Sequence, residues 1–325
     1  MITIPIQVSG DCWNNSNAVK QYLDQTQPGD CVMLDLCSEG PSLRKLGIVD
    51  LLDQYNLKVS VTRWSNPVET VPYQRVFCNT TSHFFPMSYH YWLDDVDTVA
   101  SNKLKFALFL GRSCPSRNRI LYDVFHQYPN EFLLSKLPSR HKSIWGYNTS
   151  IDTFSAETEQ QWFDSVELAQ DWFDNCPVGS VDHKTVQDQF VVPEISAGEM
   201  ARSLLEHYHK FNVELICETY TLGETFFPTE KTVRPMVGNR PFIVYGPANY
   251  LNNLQKRGFQ TFNKLWDEGY DRFEGLERWQ AIKQTIDQLI NIPQSQWNEI
   301  LQQCQTITQH NRNQVRKIIR DVKGI

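Results

Sequence analysis

Two apolar runs close together constrain this chain most. Val213–Cys217 and Pro241–Tyr245 each end in turn residues. Between them lie a polar, glycine-containing loop and a short amphipathic segment opening at Thr229-Glu230-Lys231. The stretch from Asn212 to Gly246 reads NVELICETYTLGETFFPTEKTVRPMVGNRPFIVYG. The order strand, loop, helix, strand is a βαβ unit and predicts a parallel sheet. Ligands of such sheets bind outside the carboxyl ends of the strands, beside helix N-termini that favour anions. Glu218 stands at one strand end, and Glu230 and Lys231 in the first turn of the next helix. A carboxylate accepts hydrogen bonds from sugar or ribose hydroxyls, and an ammonium neutralises a phosphate. The same residues also fit a capped surface helix with a solvated Glu–Lys pair, and spacing alone leaves both readings open.

The rest of the chain repeats the alternation. Cys31–Leu36 reads as a buried strand, about Leu46–Tyr55 as a helix, and Leu57–Thr62 as a further strand. Leu104–Leu110 is another clean strand. It runs into Gly111-Arg112-Ser113-Cys114-Pro115-Ser116-Arg117-Asn118-Arg119 and then an amphipathic helix from about Ile120 to Tyr128. Three arginines near a helix N-terminus suit a pyrophosphate, and Arg117 should tolerate replacement better than the other two if it points to solvent. Ser196–Lys210 reads as a helix with a serine cap and Glu199 three residues on. Leu276–Ile290 and Ser295–Asp321 read as closing helices separated by Pro293. Alternating strands and helices predict an α/β protein with doubly wound parallel sheets.

The segment Glu218 to Lys231 resembles the donor-binding stretch of the α-1,3-fucosyltransferase family. There a strand-end carboxylate is followed by an aromatic-x-Thr-Glu-Lys motif, matched here by Glu218, Phe227, Thr229, Glu230 and Lys231. Phe227 stands where the family usually has Tyr, and the loop before it is longer than in the family. A second match lies at Ser113-Cys114 and Arg119, where the family places a Ser/Asn-Cys element and then an arginine before a helix. The resemblance implies a GT-B-like fold of two Rossmann-like domains facing a cleft. An acceptor domain would span 1–102 and a nucleotide-sugar domain 103–275, with an insertion at about 130–193 and C-terminal helices at 276–325. It implies an inverting, metal-independent glycosyltransferase that needs no cofactor. The donor would be a nucleoside diphosphate sugar, GDP-linked by analogy, held by Arg112, Arg119, Glu218, Phe227, Thr229, Glu230 and Lys231. The family's base is a glutamate of the N-terminal domain. Glu39, on a Gly-Pro turn at a predicted strand end, is the candidate for a general base toward a carbohydrate or other hydroxyl acceptor.

Other classes stay open. Asp95 and Asp97 form a D-x-D, the arrangement that holds a divalent metal in another transferase class, although an acidic linker or helix cap explains it better. A non-catalytic carbohydrate- or virion-associated module is the third reading. The net charge of −6 and a pI near 5.8 argue against nucleic acid held by bulk electrostatics. The eight cysteines show neither a C-x-x-C pair nor zinc spacing, which points to a reducing cytoplasm. The resemblance implies the bacterial or viral form of the family. No run approaches membrane-spanning length, unlike the anchored animal fucosyltransferases.

Overall fold

The computed structural model describes residues 2–9, 12–13, 15–36, 40–76, 104–111, 114–136, 166–178 and 203–324. The first half contains β1 (Ile2–Pro5), a small antiparallel pair β2 (Val8–Ser9) and β3 (Cys12–Trp13), α1 (Ser16–Leu23), β4 (Cys31–Asp35), α2 (Ile48–Leu52), β5 (Lys58–Thr62) and β6 (Gln74–Val76). The second contains β7 (Leu104–Leu110), α3 (Pro115–Gln127), β8 (Phe132–Lys136), α4 (Val166–Asn175), a 3-10 segment (Leu204–Lys210), β9 (Phe211–Cys217), α5 (Glu230–Val237), β10 (Phe242–Tyr245) and α6 (Tyr250–Gln255). A second 3-10 segment (Gly269–Arg272), α7 (Gly275–Asn291) and α8 (Gln294–Lys323) close the chain.

The protein is α/β with two parallel sheets. The first runs β1-β4-β5-β6, always growing in one direction. The second runs β10-β9-β7-β8. Its chain leaves β7 toward β8 and then crosses to the other side for β9 and β10. The order therefore reverses between β7 and β9, the switch point of the sheet, and open α/β sheets bind ligands in the crevice outside the carboxyl ends of the strands at such a point. Helices cover both faces of such a sheet, so its strands read as nearly continuous apolar runs. Phe106 to Leu110 and all of β10 are buried accordingly.

A charged exception is Glu214, fully buried in β9. Its carboxylate accepts from the Arg234 guanidinium of α5 and the Tyr208 hydroxyl, which compensates a charge that would otherwise be costly there. The pair ties α5 to the sheet from beneath.

Two predicted helices differ from those formed. The helix expected at Ile120 begins at Pro115, because proline's fixed φ and missing N–H suit a first helical position and Cys114 is extended before it. Arg117 and Arg119 are thus helical residues rather than loop residues. The helix expected over Ser196–Lys210 is, in its described part, a 3-10 segment from Leu204; Ser196 and Glu199 lie outside the described residues.

The halves meet through the loop between β9 and α5. Tyr220 and Phe227 leave it to join the core of the first half. Phe226, between them in the chain, packs into the core of the second, against Tyr250 and beneath the Arg257 guanidinium. Asn66 of the first half donates to Glu224 O at 2.7 Å and accepts from Phe226 N at 3.4 Å. Glu274 takes Lys45 Nζ on one oxygen (2.9 Å) and Gly223 N on the other (2.7 Å). Gly223 has a φ of 71°, and a Cβ there would lie 2.8 Å from Ser42, so only glycine fits both demands.

Candidate functional site

The switch-point crevice is bounded by the start of α3, the end of β9 and the start of α5. Thr229 caps α5, accepting from Lys231 N on its hydroxyl (3.3 Å). This places Glu230 and Lys231 in the first turn, where Lys231 gains nothing from the helix dipole.

Glu218 lies directly beneath, 1% exposed. One oxygen accepts from Thr229 N (3.1 Å), the Tyr250 hydroxyl (2.9 Å) and the Thr232 hydroxyl. The other accepts from the Thr229 hydroxyl (2.6 Å) and Thr219 N (3.2 Å). A carboxylate offers about four lone-pair sites, so this one is consumed by the protein. The expectation that Glu218 receives ligand hydroxyls is corrected: a strand-end carboxylate buried beneath a threonine-rich helix start is claimed by those threonines. It organises the site from below.

Lys231 remains partly accessible, its side chain 14% exposed, and Glu230 likewise at 19%. The ammonium donates to Glu230 Oε1 at 2.7 Å and makes longer contacts to Thr219 Oγ1 (3.2 Å) and Thr229 Oγ1 (3.3 Å). Burial alone would raise the Glu230 carboxyl, but Lys231 and a backbone hydrogen bond outweigh it and hold the group below the usual carboxylate range. The pair presents one fixed positive and one fixed negative group side by side. An incoming anion would replace the two long threonine contacts while the ion pair holds the ammonium in place.

Phe227 does not line the crevice. It is 5% exposed, edge-on to Tyr220 at 5.6 Å, and its ring fills the space where a Cβ of Gly40 would stand. The ligand contact expected of it is replaced by an anchoring role, which explains why no hydroxyl is needed there.

Arg119 donates its Nε–H to Asp123, one turn further along α3, at 2.9 Å. Asp123 also accepts from Trp279 Nε1 (2.8 Å) and Lys283 Nζ (2.9 Å), so this cluster ties α3 to α7. Arg117 does not point to solvent: it is buried and donates to the carbonyls of Cys217 (3.3 Å) and Glu218 (2.8 Å). It clamps α3 to the end of β9 across the switch point. Pro115 was the signal: it starts the helix early enough to turn the two arginines to different faces. Lys136 is buried and donates to Phe173 O in the last turn of α4.

Glu39, Arg112, Asp95 and Asp97 lie outside the described residues. Gly40, which follows Glu39 in the chain, abuts Phe227. The acidic residues Glu268 and Asp271 are engaged within the protein. Glu268 accepts from Phe262 N (2.8 Å), and Asp271 from Leu251 N, Asn252 N and the buried Arg278. Burial pushes the Glu268 carboxyl up to about 7 against the hydrogen bonds it accepts. Among the described residues no three His, Cys, Asp or Glu side chains are arranged to hold a metal, and no helix is long and apolar enough to cross a membrane. Compared with known families and characterised proteins, the chain matches no family model and no curated sequence.

Proposed function

We propose that this protein is a glycosyltransferase, fucosyltransferase-like in its donor half, that moves a sugar from a nucleoside diphosphate sugar to an acceptor hydroxyl. The observation that carries the reading is the Lys231–Glu230 pair in the first turn of α5, beside the crevice where the strand order reverses. The Thr-Glu-Lys resemblance and the parallel-sheet crevice arise independently, one from sequence and one from topology, and they coincide in these residues.

In this reading Lys231 neutralises the donor diphosphate and Glu230 accepts a ribose or sugar hydroxyl. Glu218, through Thr229, Thr232 and Tyr250, keeps the helix start in register. The acceptor oxygen attacks the anomeric carbon, the bond to the diphosphate breaks, and the leaving diphosphate's charge is met by Lys231 and Arg112. Glu39 is the proposed base for the acceptor proton, supplied from the first half opposite the donor. The two halves would act as GT-B domains, with inversion at the anomeric carbon.

The test is a thermal-shift panel of GDP, UDP, CDP and TDP, then their sugars. The reading requires one nucleoside diphosphate to raise the melting temperature in a dose-dependent way. A flat response to all four favours a non-catalytic module. Turnover abolished by EDTA and restored by Mn²⁺ favours the D-x-D class instead.

A further inference from the structure

The last turns of α8 carry a charge pattern that helix packing does not explain. Residues 312–323 include Arg312, Arg316, Lys317, Arg320 and Lys323 against a single acid, Asp321, in a chain of net charge −6. One side of these turns, Val315 and Ile319, is buried in the core of the second half. On the other side Asn313, Lys317, Arg320 and Asp321 are exposed and Arg316 is half-buried. These five residues line a depression of about 350 Å³, within the ~300–1,000 Å³ of small-molecule sites.

Cations favour a helix C-terminus, but only within the last turn. α8 ends at Lys323, so the dipole accounts for Arg320 and not for Arg316 or Lys317. Arg316 and Lys317 stand four and three residues before Arg320, spacings at which like charges repel. Asp321, one turn after Lys317, does not neutralise them. Among the described residues it forms no ion pair, and neither Lys317 nor Arg320 has an acidic partner. The helix holds its cations together at a cost that a bound anion would remove.

The lining selects which anion. A phosphoryl group near neutral pH carries a charge of about −1.5 to −2 and three strong acceptor oxygens. Arginine forks meet it bidentately, a lysine adds a point charge, and the Asn313 amide adds a neutral donor. Three cations against one carboxylate match that charge. Asp321 accepts, which suits the remaining proton of a phosphate or a hydroxyl of its ester. A membrane surface fits less well. It needs apolar side chains to insert, and here Val315, Ile318 and Ile319 pack into the core.

We infer that the exposed side of α8 at Asn313, Arg316, Lys317, Arg320 and Asp321 is a phosphate-binding site, separate from the switch-point crevice. It takes a phosphoryl group, free or as the monoester of a small molecule.

Differential scanning fluorimetry of the full chain tests it, with ionic strength held constant by sodium chloride. Inorganic phosphate should raise the melting temperature with a saturable dose dependence. A stronger response to glycerol phosphate assigns an esterified ligand, an equal one free phosphate. Lys317→Gln combined with Arg320→Gln, both at exposed positions, should leave the melting temperature without phosphate unchanged. The same double variant should weaken the phosphate response roughly tenfold or more. Lys231→Ala should keep the response. The inference is overturned if phosphate does no more than chloride, which is screening of the repulsion alone. It is also overturned if the double variant responds as wild type does, or if Lys231→Ala abolishes the response, which places the phosphate in the crevice.

Discussion

The Tyr250 hydroxyl donates to Glu218 Oε1 at 2.9 Å, joining the first residue of α6 to the residue that follows β9. Because the same oxygen also takes the Thr232 hydroxyl, one buried carboxylate holds strand end, helix cap and following helix together. Tyr250→Phe removes one donor and leaves the shape. A hydrogen bond to a charged group is worth about 1.5–3 kcal/mol, so chemical denaturation should show a loss of that order. No change would mean that Glu218 is satisfied without Tyr250.

Gly40 and Phe227 make the second test. A Cβ at Gly40 would lie 2.7 Å from the Phe227 ring. Gly40→Ala should therefore destabilise by about 1–3 kcal/mol, the range for overpacking. Shortening the ring in Phe227→Leu should relieve part of that cost, so the double variant should be more stable than additivity predicts. Strict additivity would separate the two residues.

Arg117 and Arg119 should part company. Arg117→Ala removes the donor from two carbonyls in a buried clamp, at about 1–3 kcal/mol. Arg119→Ala removes a partly exposed pair within one helix, worth at most about 1 kcal/mol. Equal losses by thermal or chemical denaturation would contradict the clamp.

Much of the fold is legible in the sequence because its strongest signals are local. Leu104–Leu110 is a seven-residue apolar run, and it forms β7 with the same bounds. Thr229 before Glu230 and Lys231 is a helix start, and it caps α5. The surroundings of Glu218, Phe227 and Arg117 were not legible because what decides them is distant in sequence. Tyr250 and Thr232 claim the first, the packing surface at Gly40 claims the second, and the carbonyls of Cys217 and Glu218 claim the third. Motif spacing marks the place of such residues but not which side of the chain they face.

Glu268 makes stability depend on pH. Its carboxyl, ordinarily near 4.5, is raised to about 7 by burial. Between those values the folded protein holds a proton that the unfolded chain releases, so this group's contribution is full below 4.5 and is lost as pH rises through about 7. Stability measured relative to Glu268→Gln should therefore fall across that window. A flat or rising difference would show that Glu268 is ionised in the folded state throughout.

Isothermal calorimetry of the best nucleoside diphosphate against wild type and Lys231→Ala tests the central claim most directly. The ammonium opposes the helix dipole but pairs with Glu230 at 2.7 Å and holds that carboxyl down, so the variant should keep its fold with a modestly lower melting temperature. One charge-assisted phosphate contact is worth about 1.5–3 kcal/mol, which predicts a roughly ten- to hundredfold loss of affinity. Equal affinity in the two proteins would remove Lys231 from the site and with it the donor-binding reading of the crevice.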